Sequence, residues 1–304
     1  MNHPVLPEEG VLSAEGLSLG FEDRVVVREL DLTLERGSVT TIIGPNGCGK
    51  STLLKGLSRL LKPGGGRVLL DGKDLRSFSQ KAIAQRIAVL PQTPIAPAGL
   101  TVSELVTRGR HPRQKWYQQF SAGDEAAVAA ALEATDVSDI AHTALEDLSG
   151  GQRQRAWISM ALAQESDILL LDEPTTYLDL AHQVEVLELV RRLNRELGRT
   201  VVMVLHDISL AARYSDRIVA MKDGVIEAQG SPSEVVTEEL LWSIFGLRAH
   251  VVQEPSEGRP HVIPLGNDAA ATTAPGLPPV ESGLPVEPGI AGKAALPESS
   301  GLTA

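Results

Sequence analysis

The chain has 304 residues, 42% hydrophobic and 22% charged, a composition that folds and buries a substantial core. A formal net charge of −11 argues against broad electrostatic binding to DNA, RNA or anionic lipid, so no nucleic-acid partner is expected. The single cysteine, Cys48, excludes an internal disulfide and suits a reducing compartment; no signal-peptide pattern stands at the N-terminus, and no apolar run approaches the roughly 18 residues that a membrane span needs.

Short alternating runs between residues 11 and 34, such as Leu17-Ser18-Leu19 and Leu30-Asp31-Leu32-Thr33-Leu34, predict antiparallel strands. Phe21 stands among them, where a ring could stack on a purine base or fill core. The β-branched run at 39–43 predicts a strand, and it leads into Gly44-Pro45-Asn46-Gly47-Cys48-Gly49-Lys50-Ser51-Thr52, which fits G-x-x-x-x-G-K-[ST] at every specified position. Leu53, Leu54, Leu57, Leu60 and Leu61 then recur at helical spacing, predicting a helix over 50–61. Strand, glycine loop and helix together make a phosphate cradle: glycines let successive N–H groups converge on phosphate oxygens, and the helix adds the positive end of its dipole. Lys50 is placed to hold the β- and γ-phosphates of a nucleoside triphosphate, Ser51 to offer a hydroxyl to Mg²⁺, and Thr52 to meet the α-phosphate. Cys48 within this loop is either a redox-sensitive thiol or a small residue that the loop tolerates.

Further strands are predicted at 67–70 and 87–90, the second ending at Pro91-Gln92. From Thr93 the character shifts to amphipathic helix, with helices predicted over 102–108, 124–135 and 137–143, as in a helical insertion within an α/β domain. Leu148-Ser149-Gly150-Gly151-Gln152 precedes a helix predicted over 153–164; Ser149 suits its cap, and the helix start either faces an anion or is ordinarily capped. Ile168-Leu169-Leu170-Leu171 reads as a central parallel strand ending in Asp172-Glu173, two carboxylates where α/β sheets place ligands, one suited to a metal and the other to attacking water. A long helix to residue 197 is predicted with Val184, Leu187, Val190, Leu193 and Leu197 on one face. The strand at 201–205 ends in His206, either a satisfied polar residue or a catalyst. A hairpin through Lys222-Asp223-Gly224 and a helix start at Ser231-Pro232 follow, and the ordered domain is expected to end near residue 265. Residues 266–304, rich in Pro, Ala and Gly, are expected to form a disordered tail.

Taken in one order, Phe21, the phosphate loop, Gln92, LSGGQ at 148–152, ILLLDE at 168–173, YLD at 177–179 and His206 resemble the ATP-binding subunit of an ATP-binding-cassette (ABC) transporter, over about 11–265. The resemblance implies an α/β phosphate-loop NTPase with a mixed core sheet, an N-terminal antiparallel β subdomain and a helical insertion at about 93–165. It implies that Phe21 stacks on adenine, although the family usually has Tyr there. It further implies that Gln92 touches Mg²⁺ and the attacking water, that Asp172 holds Mg²⁺ through water, that Glu173 polarises the nucleophile, and that His206 hydrogen-bonds the γ-phosphate. Ser149, Gly150, Gly151 and Gln152 then bind the ATP of an opposing subunit, with Asp179 in the loop that crosses between subunits, so two copies close around two ATP molecules.

Segments outside these motifs, including Thr101-Val102-Ser103-Glu104-Leu105-Val106, Gly109-Arg110-His111-Pro112, Pro174-Thr175-Thr176-Tyr177-Leu178-Asp179 and His182-Gln183, are similar to the importer group for ferric siderophores, with cobalamin and haem relatives nearby. That similarity implies two membrane-spanning permease subunits, an extracytoplasmic substrate-binding protein, and a peripheral location on the cytoplasmic side of the cell membrane. A non-transport ABC ATPase is the alternative of another class; the tandem cassettes or long heptad-bearing arms of such proteins are not seen. LSGGQ disfavours a phosphate-loop kinase.

Overall fold

The computed structural model describes residues 11–22, 24–114, 120–254 and 258–265. In chain order the strands are β1 (Leu12–Phe21), β2 (Arg24–Leu34), β3 (Val39–Ile43), β4 (Gly65–Leu70), β5 (Lys73–Asp74), β6 (Ile87–Leu90), β7 (Ile168–Asp172), β8 (Thr200–Val204), β9 (Arg217–Lys222), β10 (Val225–Gly230), β11 (Ala249–Gln253) and β12 (Pro260–Pro264). The α-helices are α1 (Lys50–Leu57), α2 (Gln80–Ala84), α3 (Val102–Arg108), α4 (Ala122–Ala134), α5 (Gly150–Ala163), α6 (Leu180–Leu197), α7 (Ile208–Tyr214), α8 (Pro232–Val235) and α9 (Glu238–Phe245).

Strands β3, β7 and β8 are buried at every position, which follows from apolar or uncharged residues at nearly every step and requires cover on both faces of the sheet. They lie in a six-stranded sheet of order β10-β9-β3-β8-β7-β6. Its neighbours are parallel except for the β9–β10 hairpin, so the core sheet is mixed, and the fold is that of a phosphate-loop α/β domain. Period-two alternation divides the side chains. Ile42, Ile168, Leu170, Val202 and Val204 face a core shared with Leu12, Leu17, Leu19, Leu53, Leu54 and Leu57, while Val39, Ile43, Leu169, Leu171, Val201 and Met203 face one built from the helices. The first core is closed by a four-stranded antiparallel sheet of order β2-β1-β4-β5, the expected N-terminal β subdomain. Helices α3, α4 and α5 lie between β6 and β7 in the chain.

Four local expectations change. Helix α1 stops at Leu57, not at residue 61: Arg59 turns left-handed (φ 58°), its guanidinium held by the carbonyls of Leu75 and Phe78, and Leu60 is 66% exposed. Residues 137–143 make only the 3-10 turn Ser138–Ile140, because the carbonyls of Ala141 and Thr143 accept from the backbone N–H groups of Ser103 and Val102. The buried face of α6 runs through Val186, Leu187, Leu189, Val190 and Leu193; Val184 is half-buried, and Leu197 is 46% exposed beside the left-handed Gly198 that ends the helix. Helix α5 starts at Gly150, three residues early, since Ser149 and Gln152 close a capping box around its first turn. The hairpin β11–β12 and helix α9, unforeseen as elements, extend the unit, with Val262 joining the helical core. Contacts divide the chain into Met1–Gly266 and Asn267–Ala304; the expected tail lies outside the described residues.

Candidate active site

Three parallel strands deliver the site because their register is fixed. Leu90 pairs with Leu171 and Asp172 pairs with Val204, so Gln92, Glu173 and His206 each stand two residues beyond one of these aligned positions. Burial on both faces sets that register, since a one-residue slip would turn every core side chain to the opposite face. The phosphate loop leaves the end of β3, whose neighbour in the same sheet is β8.

Within the loop, Gly44, Gly47 and Gly49 have φ of 152°, 78° and 108°. A Cβ on Gly44 would lie 2.2 Å from the carbonyl oxygen of Met221, so this close approach admits only glycine. The Asp223-Gly224 turn clamps the loop from the β9–β10 side: Gly224 N–H donates to the Cys48 carbonyl at 3.1 Å, and Arg28 N–H donates to the Gly224 carbonyl at 3.0 Å. Pro45 is half-buried, whereas Asn46 and Gly47 are exposed. Cys48 is 5% exposed, and burial pushes its thiol up despite the neighbouring Lys50, which favours a small packing residue over a reactive thiolate. Lys50, also 5% exposed, donates from Nζ to the carbonyls of Gly44 (2.8 Å) and Pro45 (2.9 Å), so its ammonium is tethered to the loop.

Ser51 Oγ donates to Asp172 Oδ1 at 2.8 Å, joining the first turn of α1 to the end of β7; Thr52 is half-buried beside it. Burial pushes the Asp172 carboxyl above the usual range, the Ser51 hydrogen bond opposes this, and the charge of Glu173 adds to it. Such a carboxylate gains from a nearby cation. No three His, Cys, Asp or Glu side chains converge among the described residues. The hydroxyl and carboxylate of Ser51 and Asp172 fit Mg²⁺, an ion that takes one or two carboxylates and completes its shell with phosphate oxygens and water.

Glu173 has φ 52°, a left-handed backbone that turns its carboxylate inward, where it is 9% exposed. His206 Nε2 lies 2.7 Å from Oε1, and both Gln92 Nε2 and Thr176 Oγ1 donate to Oε2, the latter at 3.0 Å. Thr176 was not among the residues expected here. Its signal is local: Thr176 N–H bonds the Glu173 carbonyl at 3.2 Å, so the two residues close one turn and their side chains meet. Phe21 ends β1 with its ring half exposed, opposite Arg24.

The signature residues occupy different ground. Ser149 N–H donates to Gln152 Oε1 at 3.0 Å, and Gln152 N–H donates to Ser149 Oγ at 3.2 Å. Ser149 and Gly150 are exposed while Gly151 is buried, so the helix start opens outward. Asp179 caps α6 with its side chain 68% exposed. No hydrogen bond among the described residues joins Ser149, Gln152 or Asp179 to the phosphate loop or Glu173.

The ABC transporter family profile matches residues 27–176. The petrobactin import ATP-binding protein FpuD of Bacillus anthracis is 51% identical over 255 residues, covering 84% of this chain and 93% of the relative. The ferric enterobactin transport ATP-binding protein FepC of Escherichia coli (strain K12) is 48% identical over 261 residues, covering 86% and 96%. Among solved structures, the dimeric bacterial ABC transporter cassette MJ0796 superposes with a TM-score of 0.63 at 29% identity, covering 72% of this chain and 98% of that one. No helix among the described residues is long and apolar enough to cross a membrane.

Proposed function

Because this chain belongs to the ABC transporter family of ATP-binding subunits, we propose that it dimerises around two ATP molecules and powers import of a ferric siderophore through two partner membrane subunits. The observation that carries the reading is the convergence of Gln92, Thr176 and His206 on Glu173, one residue beyond the Ser51–Asp172 pair.

In this reading residues 11–265 form the ATP-binding domain, with a helical insertion at about 93–165. Phe21 stacks on the adenine. The backbone N–H groups of 46–49 and the ammonium of Lys50 hold the phosphates, with Thr52 at the α-phosphate. Mg²⁺, when bound by Ser51, Asp172 and Gln92, neutralises phosphate charge. Glu173 accepts a hydrogen bond from the attacking water and orients it, and His206 donates to the γ-phosphate. Phosphoryl transfer asks mainly for positioning and charge stabilisation, which such a constellation supplies. The exposed start of α5, with Ser149, Gly150, Gly151 and Gln152, grips the γ-phosphate held by the other copy, and Asp179 crosses beside it. Loss of that phosphate loosens the dimer and passes motion to the permeases.

Relatives named for petrobactin and ferric enterobactin support a siderophore cargo. In the same reading an extracytoplasmic binding protein delivers it, and this chain sits at the cytoplasmic face of the membrane. The test is Glu173→Gln: with Mg-ATP it is expected to sediment as a dimer while turnover falls about 10²- to 10⁴-fold, the range for a lost general base. Unchanged turnover removes Glu173 from its role. Uptake of labelled ferric siderophore in a deletion strain is expected to return with the wild-type gene and not with Lys50→Ala; uptake that never depended on the gene overturns the cargo.

A further inference from the structure

His182 lies on the first turn of α6, beyond the residues given a role above. Asp179 Oδ1 accepts its backbone N–H at 2.9 Å and faces its ring Nδ1 at 2.7 Å. A carboxylate in that position selects the tautomer with the proton on Nδ1. The ring then packs on the signature: a Cβ built on Gly151 would fall 2.4 Å from His182 Cδ2, so the imidazole occupies the space that a side chain at 151 would take. One residue earlier, a Cβ on Gly150 would lie 3.1 Å from Leu178 Cδ2. Further along the same helices, Arg155 pairs with Glu185 at 2.8 Å. The Asp179 carboxyl is held below its ordinary value, first by the His182 backbone N–H and then by its ring.

Two segments read as acting on the other copy's nucleotide, the signature and the Asp179 turn, thus meet within one chain at the Leu178 side chain and at the His182 imidazole, and only the imidazole also faces the Asp179 carboxylate. We propose that His182 is a positioning residue for the half-site presented to a second copy, fixing the start of α5 relative to Asp179 so that both meet the partner's ATP in one arrangement. This rests on the dimer reading above. A role confined to stability fits poorly. The His182 side chain is 40% exposed, an exposed pair of this kind contributes little to folding, and α5 and α6 already share one buried core that includes Ala156, Ile158, Val186 and Leu187.

The experiment uses the full chain carrying Glu173→Gln, with Mg-ATP as the probe. Adding His182→Ala is expected to weaken dimerisation about tenfold, while ATP affinity of the dilute monomer stays within about twofold, because the hydrogen bonds of His182 go to Asp179 and not to the phosphate loop. His182→Asn, whose amide N–H can replace Nδ1–H, is expected to recover most of the loss. Equal dimerisation of His182→Ala and its parent overturns this inference alone. A matching loss of monomer ATP affinity, or no recovery with Asn, also overturns it by pointing to general disruption. A Glu173→Gln parent that stays monomeric with Mg-ATP overturns the dimer reading and this inference together.

Discussion

The phosphate-loop side and the signature side of this chain carry their polar groups in opposite ways. Around the loop, Lys50 and Asp172 are 5% and 6% exposed; Lys50 is held by the carbonyls of its own loop, and Asp172 receives the Ser51 hydroxyl from a segment far away in the chain. At the signature, Ser149 and Gly150 are exposed, the first donors are capped from within four residues, and Asp179 is held by its own helix. The first arrangement is preorganised by the chain's own core. The second is shaped locally and opens outward, as expected of a surface completed by another molecule.

That contrast is broken most directly at Lys50 and Ser149. Lys50→Ala is expected to raise the dissociation constant for ATP about 100-fold, the upper end for losing a charged hydrogen-bond donor to phosphate. Ser149→Ala should leave monomer binding within about twofold while turnover drops, since its hydroxyl serves the outward face. Equal losses of ATP affinity in the two variants would erase the distinction.

Glycines sharpen it next. Gly44→Ala forces a Cβ to 2.2 Å from the Met221 carbonyl, a backbone atom that cannot yield, and should cost about 2 kcal/mol or more in chemical denaturation. Gly150→Ala meets only the end of the Leu178 side chain at 3.1 Å and should cost less than about 1 kcal/mol, even where it impairs turnover.

Thr176→Val keeps the branched shape and removes the donor to Glu173. Turnover should fall about tenfold with ATP affinity unchanged, and Thr176→Ser should restore it.

The smallest effect concerns Asp172. Burial raises its folded-state pKa above the ordinary 3.8, so its contribution to stability is fully present below that value and is lost as pH rises through the raised one. Nucleotide-free Asp172→Asn should therefore melt at or above the wild-type temperature at pH 7. The gap should narrow on acidification as the wild-type carboxyl takes up its proton. A variant that melts lower at pH 7 would show that the Ser51 hydrogen bond outweighs desolvation.

Much of the chain was legible where a few adjacent residues satisfy one another. The Ser149 cap, the Asp223-Gly224 hairpin turn and the phosphate loop are all of this kind. Legibility failed where distant groups intervene. Leu60 and Leu61 continue a helical spacing, yet the chain has already turned at Arg59 because carbonyls of Leu75 and Phe78 hold its guanidinium. Residues 137–143 have an amphipathic pattern, but their carbonyls serve α3.

From sequence alone came the kind of chemistry, the order of its motifs and the helix starts at Ser149 and Ser231, because these depend on residue type over short spans. Only the tertiary structure decided that Glu173 gathers Gln92, Thr176 and His206, and that His182 seats on Gly151. Those meetings depend on strand register and helix docking, which are set by burying side chains far apart in the chain, and no local pattern encodes them.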